Sequence, residues 1–140
     1  MMSIEHENEA LIRRWFEEVW NQKRPEQITE MMSEDVVAHG MGADAAPLYG
    51  TDAFRQSFEL FTGAFPDLQI TIEQCMAAGD RVVVLLRCEA THGGDNLGVP
   101  ATGKRVTFPV MSMARCHKGK IVEGWNVLDL MTAFRQMGVV

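Results

Sequence analysis

Nothing in the 140 residues approaches the run of about 18 apolar residues that a membrane-spanning helix needs. The N-terminal Met-Met-Ser-Ile-Glu-His-Glu has neither the basic nor the apolar part of a secretory signal, so a cytoplasmic protein is expected. Basic residues are few and scattered. Thirteen Lys and Arg stand against 19 Asp and Glu, a net charge of −6, and a polyanion would meet a repulsive average field. Neither nucleic acid nor a membrane is an expected partner. Cysteine is scarce and odd in number: Cys75, Cys88 and Cys116 lie far apart, each in a strand-like stretch, which is neither a disulfide framework nor a zinc motif. They read as buried free thiols. Gly93-Gly94 lacks the Walker and dinucleotide patterns, and no pair among His6, His39, His92, His117 and the acids has metal-ligand spacing on one element. No metal and no cofactor are expected. Internal repeats, low-complexity tracts and linkers are missing too, which predicts one domain over residues 1–140.

What is present is helical first and extended afterwards. Ser3 can cap a helix with Glu5 and Glu7 in its first turn. Leu11, Ile12, Trp15, Phe16, Val19 and Trp20 then recur on one face to about Asn21. Pro25 suits the start of a short second helix through Ile28, Met31 and Met32, stopped by Ser33-Glu34-Asp35 before a brief strand, Val36 to His39. A Gly- and Ala-rich loop follows. From Thr51, the spacing of Phe54, Phe58, Phe61 and Phe65 predicts a third amphipathic helix, halted by Gly63 and Pro66. Leu68 to Met76, Arg81 to His92, Arg105 to Cys116 and Lys120 to Leu128 then read as strands joined by turns, an antiparallel meander that helices can cover from one side. The class is α+β. Asp129 stands where a cap belongs for a closing helix through Met131, Phe134 and Met137.

The segment Gly119-Lys120-Ile121-Val122-Glu123-Gly124-Trp125-Asn126-Val127-Leu128-Asp129 resembles the C-terminal segment of the SnoaL-like polyketide cyclases, small members of the nuclear-transport-factor-2-like superfamily. Gly50-Thr51-Asp52-Ala53-Phe54, Ala64-Phe65-Pro66-Asp67 and Gly98-Val99-Pro100-Ala101-Thr102-Gly103-Lys104 are similar to that family in the same order, so most of the chain is covered. The resemblance implies a cone: a strongly curved, mostly antiparallel sheet wrapped around about three N-terminal helices, with a short C-terminal helix, a cystatin-like α+β barrel. It also implies an apolar pocket for a small molecule and a homodimer. The family's acid/base residue falls at Asn126, which as an amide takes no proton. A family histidine falls at Gly124, and polar family positions on the preceding strand are occupied by Val110 and Ser112.

Strand alternation groups Val122, Gly124, Asn126 and Leu128 on one face, with Val106, Phe108, Val110, Ser112 and Ala114 as companions. Ile121, Glu123, Trp125 and Val127 take the other. Asn126 is thus a candidate to hydrogen-bond a ligand carbonyl or to satisfy backbone inside the cone. His39, at a strand end, is the candidate acid/base, because imidazole as a residue type suits proton transfer near neutral pH. Phe54, Phe108, Val110 and Ser112 are expected to line the pocket, and His92, where the family also tends to place a histidine, to touch the ligand or gate it. Phe58 and Phe61 read as core.

Two functions stay open. One is an enzyme acting on a small, mostly apolar, polyketide-like carbonyl compound by aldol cyclisation or related proton transfer, with His39 or a water in place of the missing acid. The other is a non-catalytic binding or accessory protein. A ketosteroid isomerase would need a tyrosine on the first helix, whereas the lone tyrosine is Tyr49; an epoxide hydrolase would need an Asp-Arg-Asp trio on one face. Met111, Met113, Trp125 and Val127, outside the pocket, are the surface on which a homodimer is expected.

Overall fold

The computed structural model describes residues 3–41 and 46–140. Ser3 caps α1 (Ile4–Arg14) by accepting from the His6 N–H, with Glu5 and Glu7 at the positive end of the helix dipole. From Trp15 to Asn21 the helix widens into π-helical bonding, and the Gln22 N–H reaches back to the Glu17 carbonyl. A 3.6-residue pattern predicts plain α-helix here and does not reveal the wider turn. Its consequence is that Trp15 and Trp20, five residues apart, both meet Phe54, at 5.4 and 6.3 Å between ring centroids. Asn21 then fastens the helix end to the sheet: its amide donates to the Ile70 carbonyl at 2.9 Å and accepts from the Ile70 N–H at 2.7 Å.

A 3-10 turn at Pro25–Gln27 leads into α2 (Ile28–Met31) and directly into β1 (Met32–His39), which begins before the expected Val36. Ser33, Glu34 and Asp35 do stop the helix, but they belong to the strand, at an irregularity between Met32 and Val37. Of the expected Gly- and Ala-rich loop, residues 42–45 lie outside the described residues. The stretch ends in a two-residue strand, β2 (Leu48–Tyr49), paired with β1. The third helix, α3 (Thr51–Ala64), buries Phe54, Phe58 and Phe61.

The meander follows as the periodicity predicts: β3 (Gln69–Ala78), β4 (Arg81–Thr91), β5 (Arg105–His117) and β6 (Lys120–Leu128). Lys118 and Gly119 join β5 to β6 with φ of 50° and 76°, the doubly positive turn whose twist suits a tight hairpin. β1 then returns alongside β6 in parallel, giving the order β2-β1-β6-β5-β4-β3 and a mixed sheet. The sheet is curved but not closed, with β2 and β3 as its edges. Bulges between Ile72 and Gln74 and between Arg115 and Cys116 bend it.

The second bulge changes a predicted face. Cys116 pairs with Ile121 and Arg115 with Glu123, so Val122 is the extra residue and parity reverses across it. Ile121 is therefore buried inside the cone, where alternation alone places Val122. Asp129 caps α4 (Leu130–Met137) by accepting from Thr132, and Gly138 closes the helix in the left-handed region at φ 78°. Beyond the end of β6, α4 also stands in for a strand: the Gln136 amide accepts from the Thr107 N–H at 2.7 Å and donates to its carbonyl at 3.0 Å. Cys88 and Cys116 are buried and Cys75 half-buried, all as free thiols. Among the described residues no helix is long and apolar enough to cross a membrane.

Candidate functional site

Helices and sheet enclose a cavity of about 90 Å³, on a scale where one water needs about 10–15 Å³. The first helix contributes Ile12, Trp15, Phe16 and Trp20, α3 contributes Phe54 and Phe61, and Phe65 follows it. The floor is the inward face of the sheet: Val82, Val84 and Leu86 on β4, Phe108, Val110 and Ser112 on β5, Ile121, Gly124, Asn126 and Leu128 on β6. Among the described residues lining it there is no Asp, Glu, His, Lys, Arg or Tyr. Cys88 is the one thiol, and burial pushes it up to about 12, so it is a protonated, weakly polar group at neutral pH. Among the described residues no cluster of three or more His, Cys, Asp and Glu is arranged to hold a metal.

On the sheet side of the cavity the polar oxygen and nitrogen side chains are two that face each other. Ser112 and Asn126 are direct cross-strand partners on β5 and β6. The Ser112 hydroxyl donates to Asn126 Oδ1 at 2.9 Å, and Asn126 Nδ2 donates to the backbone carbonyl of His39 at 3.1 Å. Asn126 therefore satisfies backbone, one of the two roles left open by the sequence, and it also lines the cavity. Gly40 makes the contact possible. Its φ is +82°, and a Cβ there would collide with the Asn126 backbone carbonyl, so only glycine lets β1 approach β6 this closely.

Phe54, Phe108, Val110 and Ser112 are brought together in the cavity wall with Asn126. The two histidine rings are not. β1 runs parallel to β6 with His39 opposite Trp125 and Ala38 opposite Gly124. Residues opposite one another share a face, so Ala38 looks into the cavity and the His39 ring looks out. There its Nε2 meets Glu123 Oε2 at 2.8 Å and its plane stacks on Trp125. What His39 gives the site is its carbonyl. His92 is fully buried but lies behind the wall, tilted against Phe65 at 5.9 Å between centroids. Its Nδ1 accepts from the Thr102 N–H at 3.2 Å, which assigns the ring proton to Nε2 and pins Thr102 against the end of β4.

Sequence reasoning names Trp15, Phe16 and Trp20 as one apolar helix face but not as cavity wall. Which face of a buried helix meets a void depends on the π-turn, and no residue-type signal announces that.

These features have close structural counterparts. A family model described as SnoaL-like polyketide cyclase matches residues 10–137. A protein from Jannaschia sp. CCS1, provisionally designated a SnoaL-like polyketide cyclase, superposes with a TM-score of 0.89 at 23% identity, covering 100% of this chain and 97% of that one. AclR from Streptomyces galilaeus, provisionally a hydroxylase, gives 0.84 at 29% identity over 97% of this chain and 83% of its own. IdmH from Streptomyces antibioticus, provisionally a polyketide cyclase, gives 0.83 at 27% over 96% and 100%. No curated protein matches the sequence. With nearly the whole length matched by the family model and the cone present, the chain belongs to the SnoaL-like polyketide cyclase family.

Proposed function

We propose that the cavity binds a small, mostly apolar carbonyl compound of polyketide type, oriented by the Ser112–Asn126 pair. The observation that carries this is the division of labour in the wall: one hydrogen-bonding pair set in an otherwise aliphatic and aromatic surface. Burying about 200 Å² of apolar ligand surface gives about 5 kcal/mol of gross driving force. A hydrogen bond adds about 1 kcal/mol net. Affinity thus comes from the walls, and orientation from the pair.

Aldol cyclisation needs a proton removed alpha to a carbonyl, and the described wall offers no side chain to take it. We therefore assign to the pocket the parts of such a reaction that need no titratable group. It folds a flexible chain so that nucleophilic carbon and carbonyl face each other, and it polarises that carbonyl through the second Asn126 N–H. The same wall favours a second reading, binding without turnover. AclR and IdmH carry different provisional designations at similar identity, so family membership leaves the reaction open.

We also assign a homodimer contact to the outer face of the sheet. There Met111 is 50% and Val127 72% exposed beside Met113 and Trp125, an apolar patch unusual on a monomer.

The decisive experiment incubates the wild type and Asn126→Leu with aromatic β-keto esters, following melting temperature and product. Wild type should be stabilised, by about 2.7 kcal/mol at a hundredfold excess over Kd, and Asn126→Leu should bind about tenfold more weakly. Cyclised product from wild type alone supports catalysis by positioning, and ligand recovered unchanged supports the binding reading. A panel that moves no melting temperature rules out both.

A further inference from the structure

The hydrogen bonds at the polar end of the cavity run in one direction only. A backbone carbonyl accepts and never donates, so the group that Asn126 turns to the His39 carbonyl, 3.1 Å away, is its Nδ2. Its Oδ1 then faces Ser112, and the serine must spend its single O–H hydrogen on that oxygen, at 2.9 Å. Gly40 backs the arrangement. The approach of its backbone to Asn126 holds β1, and with it the His39 carbonyl, at the place that fixes the amide.

Two functions are then left for a guest. Asn126 Nδ2 has a second N–H with no protein partner among the described residues, and the Ser112 oxygen has a free lone pair. The first donates and the second accepts. A ketone or ether oxygen satisfies only the donor and leaves the serine oxygen facing apolar surface. An oxygen that itself carries a hydrogen satisfies both.

Building on the binding reading above, we propose that the site selects the hydroxyl form of its ligand, the enol tautomer of a 1,3-dicarbonyl or a phenol formed from one. That oxygen accepts from Asn126 Nδ2–H and donates its hydrogen to Ser112 Oγ. Val110, Phe108 and Leu128 beside the pair are apolar and do not compete for the hydrogen. Positions read in the sequence as losses of polar family residues thus work as a specificity device, because on the sheet side of the cavity they leave Ser112 and Asn126 as one adjacent donor–acceptor couple among apolar neighbours.

The test is isothermal titration calorimetry of the full chain with naphthalene, 1-methoxynaphthalene, 1-acetylnaphthalene and 1-naphthol, which differ in hydrogen-bonding type on one skeleton. The expected result is 1-naphthol binding about tenfold or more tightly than the ether or the ketone. In the double variant Ser112→Val with Asn126→Leu that preference should shrink to about twofold or less. A ketone that equals or beats 1-naphthol on wild type overturns the proposal, and so does a preference that survives in the double variant. Equal binding of all four overturns this inference while leaving the apolar-pocket reading intact. Binding of none, naphthalene included, overturns both.

Discussion

The ring of His39 lies nearly parallel to the indole of Trp125, 5.3 Å between centroids and 12° between planes, on the side of the sheet turned away from the cavity. Glu123 receives His39 at 2.8 Å and Arg115 at 3.3 Å, and the Arg81 guanidinium sits 5.1 Å from the centre of the same indole. The His39 bond, followed by Arg115, holds the Glu123 carboxyl below its ordinary range. A histidine that sequence position alone offers as a pocket base is thus part of a polar cluster on the outer face. In register beside it are Met113, opposite Trp125, and Met111, opposite Val127.

If that face joins two copies, a charge at its apolar centre separates them. Wild-type protein is expected to sediment at twice the 15.7 kDa chain mass at micromolar concentration, and Met111→Asp at 15.7 kDa. The substitution lies on an exposed strand position and leaves the core untouched, so circular dichroism should be unchanged. A wild type that sediments as a single chain removes the dimer.

The acid limb of stability should carry the signature of Asp129. Thr132 bonds the carboxylate through its hydroxyl and its N–H, lowering the Asp129 pKa. A depressed carboxyl contributes stability that is fully present above its unfolded value, about 3.9, and is lost as pH falls through the folded one. Asp129→Asn keeps a capping side chain but no charge. Its melting temperature should lie below wild type at pH 7, with the two curves converging below pH 4. A gap that stays constant down to pH 2 would show that the charge contributes nothing.

Gly40 offers a sharper test of how the site is held. Alanine there must adopt φ +82° and push its Cβ into the Asn126 carbonyl. The left-handed conformation alone costs about 1–2 kcal/mol. With the clash added, urea unfolding should show a loss of at least about 2 kcal/mol, accompanied by weaker ligand binding as β1 moves off Asn126. Full stability in Gly40→Ala would mean that the two strands are not held so close.

Much of this fold is written in local patterns. The phenylalanines of α3 and the alternating strands announce their elements because burial on one face repeats every three to four residues or every two. The cavity wall on β5 and β6 was legible for the same reason, and Phe108, Val110, Ser112 and Asn126 do converge. What local patterns do not contain is register between distant segments. Whether the His39 ring faces in or out depends on β1 meeting β6 with His39 opposite Trp125, a pairing across more than eighty residues of chain. The bulge at Val122 and the π-turn at Trp15–Asn21 each insert a residue into a regular repeat, shifting parity downstream without any marker in residue type.

Asn126→Asp probes chemistry and wiring together. The side chain keeps its size, and Ser112 can still donate to one carboxylate oxygen. The other oxygen replaces the Nδ2 that met the His39 carbonyl, so two acceptors face each other when the group is charged. Burial and the lost donor both disfavour the anion and raise the carboxyl pKa. When protonated, the acid donates to the His39 carbonyl much as the amide does. A raised folded pKa means that the variant stands closest to wild type below the unfolded value, about 3.9, and falls behind as pH rises through the folded one. The deficit should reach about 1–3 kcal/mol by pH 8. Over the same window the variant gains what the native wall lacks, a carboxylate beside the bound ligand. Deuterium exchange alpha to the carbonyl of a bound β-keto ester, followed by NMR, should therefore exceed that of wild type and rise along the same titration as the stability loss. Exchange no faster than wild type at pH 8, with the carboxylate ionised, would mean that position 126 does not face the reacting carbon.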